Sequence, residues 1–171
     1  MTTIEDRSAI IDVTHRYCWA LDGRQWQLLD DVFLPDATAE LASPLLSDRA
    51  AIVARVQRAI VPLDATQHTV TNHMIDVRGD EADCICYLHA QHVRAAAEGG
   101  PLYVVAGRYH DRLVRAAAGW RISHRPRDRV DRRQHGRGGA RPELTRPWGQ
   151  VPASRATTGA MASMASEKNV T

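Results

Sequence analysis

Only one lysine, Lys168, stands among the 22 basic residues of this 171-residue chain; the rest are arginine. That bias reflects composition and carries no functional information. Cysteine is scarce as well. Cys18, Cys84 and Cys86 lack metal-type spacing and, being three, cannot all pair, which points to a reducing compartment. Long apolar runs are missing, and Met1 leads into Thr2-Thr3-Ile4-Glu5-Asp6-Arg7 with neither a basic n-region nor an apolar h-region. The expectation is a cytoplasmic protein with no membrane partner. Helical HExxH spacing is also lacking. Eight histidines are present, yet His68, His73, His89 and His92 alternate in strand parity, so no metal is expected.

Charge is unevenly distributed. Residues 1–124 carry 12 Arg against 16 acidic residues, a net of −4, while residues 125–171 carry +6. The basic excess belongs to the C-terminal stretch, which is rich in Arg, Gly, Ser and Thr and poor in large apolar residues. Such a segment buries too little surface to offset its ordering entropy, so 126–171 is expected to be a mostly disordered extension. Pro126 supports that boundary, because proline cannot donate to a central ladder. Arginine-rich chain can contact nucleic acid electrostatically, but here Trp148 is the only aromatic residue among the arginines, and a solvated tail is the simpler reading. No nucleic-acid partner is expected.

Residues 4–22 predict a helix. Ile10, Val13, Tyr17 and Leu21 make one apolar ridge and Ile11, Thr14, Cys18 and Asp22 the next, with Gly23 to end it. A shorter helical piece, Trp26 to Phe33, is stopped by Pro35, and Asp36 to Ala42 reads as a strand. Ser47-Asp48-Arg49-Ala50 supplies a cap and first turn for a helix reaching Ile60. From residue 66 the period changes to two. Segments 66–78, 80–95, 101–116 and 119–125 predict strands, punctuated by Gly79-Asp80, Gly99-Gly100-Pro101 and Ala118-Gly119. Helices followed by long antiparallel strands argue for an α+β fold, with helices on one face of a curved sheet and a pocket between.

Two residues in that frame bear on chemistry. Asp22 closes the first helix where it meets the expected cavity, and a carboxylate there needs a hydrogen-bonded partner. His68, in Thr66-Gln67-His68-Thr69-Val70-Thr71-Asn72, is a candidate partner. Taken alone, each residue has an ordinary reading: an aspartate facing water, and a strand histidine bonded to backbone. Strand parity aligns His92 with Cys84, Cys86, Leu88 and Ala90, and Asn72 with His68 and Val70.

The context Tyr17-Cys18-Trp19-Ala20-Leu21-Asp22-Gly23-Arg24-Gln25-Trp26, followed some forty residues later by His68, resembles the SnoaL-like branch of the nuclear transport factor 2-like superfamily. The resemblance covers residues 4 to 125 and implies a cone-shaped roll. In enzymes of that branch, such as scytalone dehydratase and hexachlorocyclohexane dehydrochlorinase, an aspartate and a histidine at the matching positions form a buried acid–base pair. His92, through Gln91 and Arg94, matches a second catalytic histidine of the dehydratase. Asn72 is implied as a pocket support and Arg125 as a cavity arginine. Tyr17 stands where the dehydrochlorinase has lysine, and the two substrate-polarising tyrosines of the dehydratase align with Leu21 and Leu41.

The resulting expectation is a cofactor-independent lyase or isomerase. His68 would remove a proton from carbon beside an activating group, Asp22 would orient it, and His92 or a tyrosine would assist the leaving group. Tyr17, Trp19, Leu21, Phe33, Leu41, Val70, Met74, Leu88 and Val105 are the expected lining, suited to a small, largely apolar substrate. The alternative is a non-catalytic binding or assembly subunit, as in the small subunit of ring-hydroxylating dioxygenases, which needs no open cavity. Apolar residues on both parities of 80–95 suggest a homo-oligomer, dimer or trimer.

Overall fold

The computed structural model describes residues 3–41 and 45–126 and the backbone of 130–134, all within the first of two units of the chain, 1–137. Helix α1 spans Ile4–Asp22. Thr3 caps it by accepting the Asp6 amide at 3.0 Å, and Glu5 and Asp6 place negative charge in the first turn. Its far end closes differently from a glycine cap. Gly23 keeps a right-handed backbone, and the left-handed residue is Arg24, at φ 52°. A Cβ on Gly23 would make a tight contact, 3.1 Å from the Trp19 carbonyl oxygen.

After a 3-10 turn at Trp26–Asp31 come β1 (Phe33–Ala39), α2 (Arg49–Ile60), β2 (Ala65–Arg78), β3 (Glu81–Val93), β4 (Leu102–Ala116), β5 (Gly119–Arg125) and β6 (Val130–Gln134). The helical piece is thus shorter than the sequence suggests, and β1 begins before Pro35 rather than after it. The parallel pairing of β1 with β5 is irregular between Phe33 and Thr38, so Pro35 falls where no ladder donor is required. Asp48 caps α2 by accepting the Ala51 amide at 2.7 Å, and Ile52, Val56 and Ile60 form its buried stripe.

The strands form one curved mixed sheet ordered β1-β5-β4-β3-β2. N-terminal helices pack on it, giving the α+β roll. β5 pairs with β4 at residues 112–116, and β6 pairs with the same strand at 103–107. Backbone of 130–134 therefore continues the sheet past Arg125, within the stretch expected from the sequence to be mostly disordered. β6 runs beside β4, so Pro126 lies in the connection rather than in a ladder. The remainder of the expected tail, including 135–171, lies outside the described residues.

Along β3, Ala82, Cys84, Cys86, Leu88 and Ala90 face the core, as period two requires. β2 is less regular. Thr71 is opposite Tyr87 and Met74 opposite Ile85, so β2 spends three residues where β3 spends two. This is a β-bulge, with Asn72 at φ 56°. It shifts the strand's phase. Val70 is buried before it and Ile75 and Val77 pack on the core after it, while Asn72 is exposed and Met74 is 55% exposed. Both had been placed on the cavity side by simple parity, and the extra residue turns them outward.

Among the described residues no helix is long and apolar enough to cross a membrane.

Candidate active site

Between α1, α2 and the sheet's concave face lies a cavity of about 800 Å³, within the range of small-molecule sites. Asp22 and His68 meet at its wall. One carboxylate oxygen of Asp22 lies 2.6 Å from His68 Nδ1, and the other accepts the His68 backbone N–H at 2.7 Å. Both contacts follow from local geometry. Asp22 ends α1 and His68 lies on the inward face of β2, before the bulge. The His68 side chain is 4% exposed and that of Asp22 is 20% exposed. An ionised Asp22 can only accept, so Nδ1 carries the hydrogen and Nε2 is left with its lone pair. A histidine held this way is equipped to take a proton.

His92 lies on the same wall. Its ring centroid is 5.4 Å from that of His68 and 5.4 Å from that of Tyr103, its cross-strand neighbour on β4. Leu21, Leu41, Leu88 and Val105 contribute apolar lining, as expected from the sequence.

A second cluster sits on the same cavity. Arg125 is 1% exposed and makes a two-pronged ion pair with buried Asp111, Nε to Oδ1 at 2.6 Å and Nη2 to Oδ2 at 2.9 Å. Its guanidinium lies 4.2 Å from the ring centroids of both Tyr17 and Tyr109, and 5.5 Å from that of Phe33. Nη1 is buried without a hydrogen-bond partner among the described residues. Burial pushes the Tyr17 phenol up, and that of Tyr109 well up, although the Arg125 charge pulls each partway back. Both remain neutral hydrogen-bond donors at ordinary pH. Burial also raises the Cys18 and Cys86 thiols to about 12, so neither is a thiolate nucleophile.

Five expected site residues fall elsewhere. Trp19 is 72% exposed because it is two residues from both Tyr17 and Leu21, which puts it on the opposite side of α1. Met74 and Asn72 face outward beyond the bulge. Phe33 and Val70 are buried in the core behind the cavity, not on its wall. In the other direction, Tyr103, Tyr109 and Asp111 were missed. They share strand parity with Val105, and extending that parity along β4 would have found them. Glu40 and Arg55 also reach the cavity, from the end of β1 and from α2. Among the described residues no three potential metal-ligating side chains converge.

The fold and site can be set beside known proteins. Kfla4162 from Kribbella flavida superposes with a TM-score of 0.70 at 24% identity, covering 75% of this chain and 93% of its own. A scytalone dehydratase-like protein from Novosphingobium aromaticivorans gives 0.69 at 22%, covering 84% and 96%. A type 2 hexachlorocyclohexane dehydrochlorinase gives 0.66 at 19%, covering 82% and 97%. These likenesses establish the fold, and a nuclear transport factor 2-like protein from Salmonella enterica shares it at a TM-score of 0.64. No curated protein matches the chain. The SnoaL-like domain model matches residues 2–126, nearly the whole described region, and the chain belongs to that family.

Proposed function

We propose that the protein is a cofactor-independent lyase or isomerase in which His68 is the general base. One observation carries the reading: both oxygens of Asp22 are committed to His68, one to its ring and one to its backbone, at the wall of an open cavity. Asp22 fixes the tautomer and stabilises the imidazolium that forms when Nε2 takes a proton. The proton comes from carbon next to an activating group, a step shared by dehydration, elimination and double-bond shift. In this reading His92 assists departure of the leaving group, and its ring contact with His68 supports that role. The substrate is a small molecule with largely apolar surface. Assembly subunits of this fold need no open cavity, so the cavity supports the catalytic reading over the structural one.

The test is exchange of activated C–H for deuterium, followed by NMR across a panel of small ketones, β-hydroxy carbonyl compounds and halogenated rings. Wild-type protein should exchange at least one class, and His68→Gln should lower that rate by about 10²- to 10⁴-fold. Exchange that survives the substitution undiminished would sink the assignment.

A further inference from the structure

Helix α2 carries Arg49, Arg55 and Arg58 and no acidic residue, so none of them finds a carboxylate one turn away on its own helix. Arg49 is met from outside, by Asp30 and by the Phe33 carbonyl oxygen. Arg55 is not. Among the described residues, the arginine side chains without a hydrogen bond or ion pair are Arg55, Arg58, Arg94 and Arg112. The last three are exposed to water. Arg55 is half-buried and lines the cavity, where Ala59, one turn further on, is too small to cover it. A guanidinium cannot shed its charge to suit such a site, so it is stabilised there only by an anion. The cavity wall does not supply one. Asp22 is committed to His68 and Asp111 to Arg125, while Glu40 lines the cavity without pairing with Arg55.

We infer that Arg55 binds a carboxylate on the substrate, so that the small, largely apolar molecule proposed above is an organic acid. The inference rests on that reading only in taking this cavity as the substrate's site, and not on His68 acting as base. A guanidinium presents paired N–H groups in one plane, and a carboxylate accepts them two at a time. The Glu40 carboxylate on the same wall repels a second negative charge, which favours a monoanion over a phosphate. Leu41, Val56, Leu88 and Val105 are left to take the apolar body. Helix α2 reaches from β1, where Arg49 bonds Phe33, to the connection into β2, and Arg55 lies midway along it. Arg55 makes no hydrogen bond to Asp22 or His68, so the anchored carboxylate is remote from the C–H that reacts. Its part is to fix which carbon meets His68 Nε2, and binding to a non-reacting group serves that end. Arg55 is thus a residue that determines specificity.

2-Naphthoate places a carboxylate on an apolar body, and 2-naphthamide has the same shape without the charge. Wild-type protein should bind the acid about tenfold tighter than the amide in an NMR titration, as a charge-assisted hydrogen bond allows. Arg55→Met keeps an apolar stem and should erase the preference while leaving amide affinity unchanged; a role in packing alone would weaken both. 2-Naphthyl phosphate should bind no tighter than the acid. His68→Gln should retain the preference, so a failure here separates from a failed exchange assay, which bears on the base. Should Arg55→Met lose its thermal transition, a crystal structure of wild type with 2-naphthoate still decides. Its carboxylate must lie within hydrogen-bond distance of the Arg55 guanidinium. Failure of wild type to bind the acid or to prefer it, tighter binding of the phosphate, or a carboxylate seated elsewhere would each overturn the inference. So would a preference that survives in Arg55→Met, which would move the anion to Arg125.

Discussion

At the scale of single residues, Arg125 and Asp111 contrast with Asp22 and His68. The latter pair was legible in the sequence because each lies in a recognisable context, a helix end and a strand segment of one known family. Arg125 was legible as a cavity arginine, but Asp111 was not. Its side chain meets Arg125 across the β4–β5 junction, and nothing local in residues 109–113 signals an ion pair. Trp19 shows the opposite error, a residue credited with a cavity role by its neighbours when helix geometry turns it to solvent. Both members of the Arg125–Asp111 pair are buried. Removing one leaves the other charged and desolvated, which costs about 3–5 kcal/mol, whereas replacing both by apolar residues is closer to neutral. Arg125→Met and Asp111→Leu are each expected to shift the urea midpoint strongly downward, and the double variant should recover much of that loss. Additive losses in the double variant would mean that the two side chains do not stabilise one another.

At the scale of elements, helix α1 was legible nearly to the residue because its apolar ridges run to Asp22 and break at Gly23. The start of β1 was not, since Pro35 reads as a breaker unless the irregular pairing with β5 is known. The bulge in β2 was invisible for a similar reason, as alternation alone gives no sign of an inserted residue. The docking of α1 on the sheet adds a long-range feature. Asp6, in the first turn, accepts the Trp120 indole N–H at 3.1 Å and pairs with Arg115 at 2.7 Å, and Arg115 stacks on Trp120. Hydrogen bonds from Arg115 and Trp120 lower the Asp6 carboxyl to about 2. A free aspartate titrates near ~3.9. The folded value is the lower one, so the stabilisation is complete above about pH 4 and is lost as pH falls toward 2. Wild type should therefore exceed Asp6→Asn in urea midpoint at pH 5, with the gap narrowing by pH 2.5. A gap independent of pH would show that the charge of Asp6 plays no part.

At the scale of the whole molecule, the curved sheet with its helices was readable from the order of periodicities, helical first and period two afterwards. β6 was not, because a short arginine-containing stretch after Pro126 has no apolar alternation of its own and gains its place only by pairing with β4. The outer face of the sheet was anticipated as partly apolar, and Tyr87 at 52% and Met74 at 55% exposure lie on it, across the β2–β3 ladder from each other's neighbours. Large apolar side chains gathered on one face favour association. We expect a dimer or trimer by light scattering at micromolar concentration, and substitution of Tyr87 and Met74 by serine should shift it toward monomer. A wild-type monomer under those conditions would refute the expectation.

The bulge at Asn72 makes β2 two half-strands written out of phase. His68 and Val70 are even-numbered, Ile75 and Val77 odd-numbered, yet all four point inward. Paired regularly, without the bulge, this sequence has no single register that satisfies both halves. One choice keeps the apolar pair in the core and sends His68 to the solvent side, away from Asp22; the other keeps the dyad and strips the core beneath the β2–β3 turn. The site's assembly thus depends on a backbone irregularity that touches neither the cavity nor the dyad, and its part is that of a phase corrector. The length of the segment between positions 71 and 74 and the bulge itself must change together if His68 is to stay beside Asp22 and the apolar pair in the core.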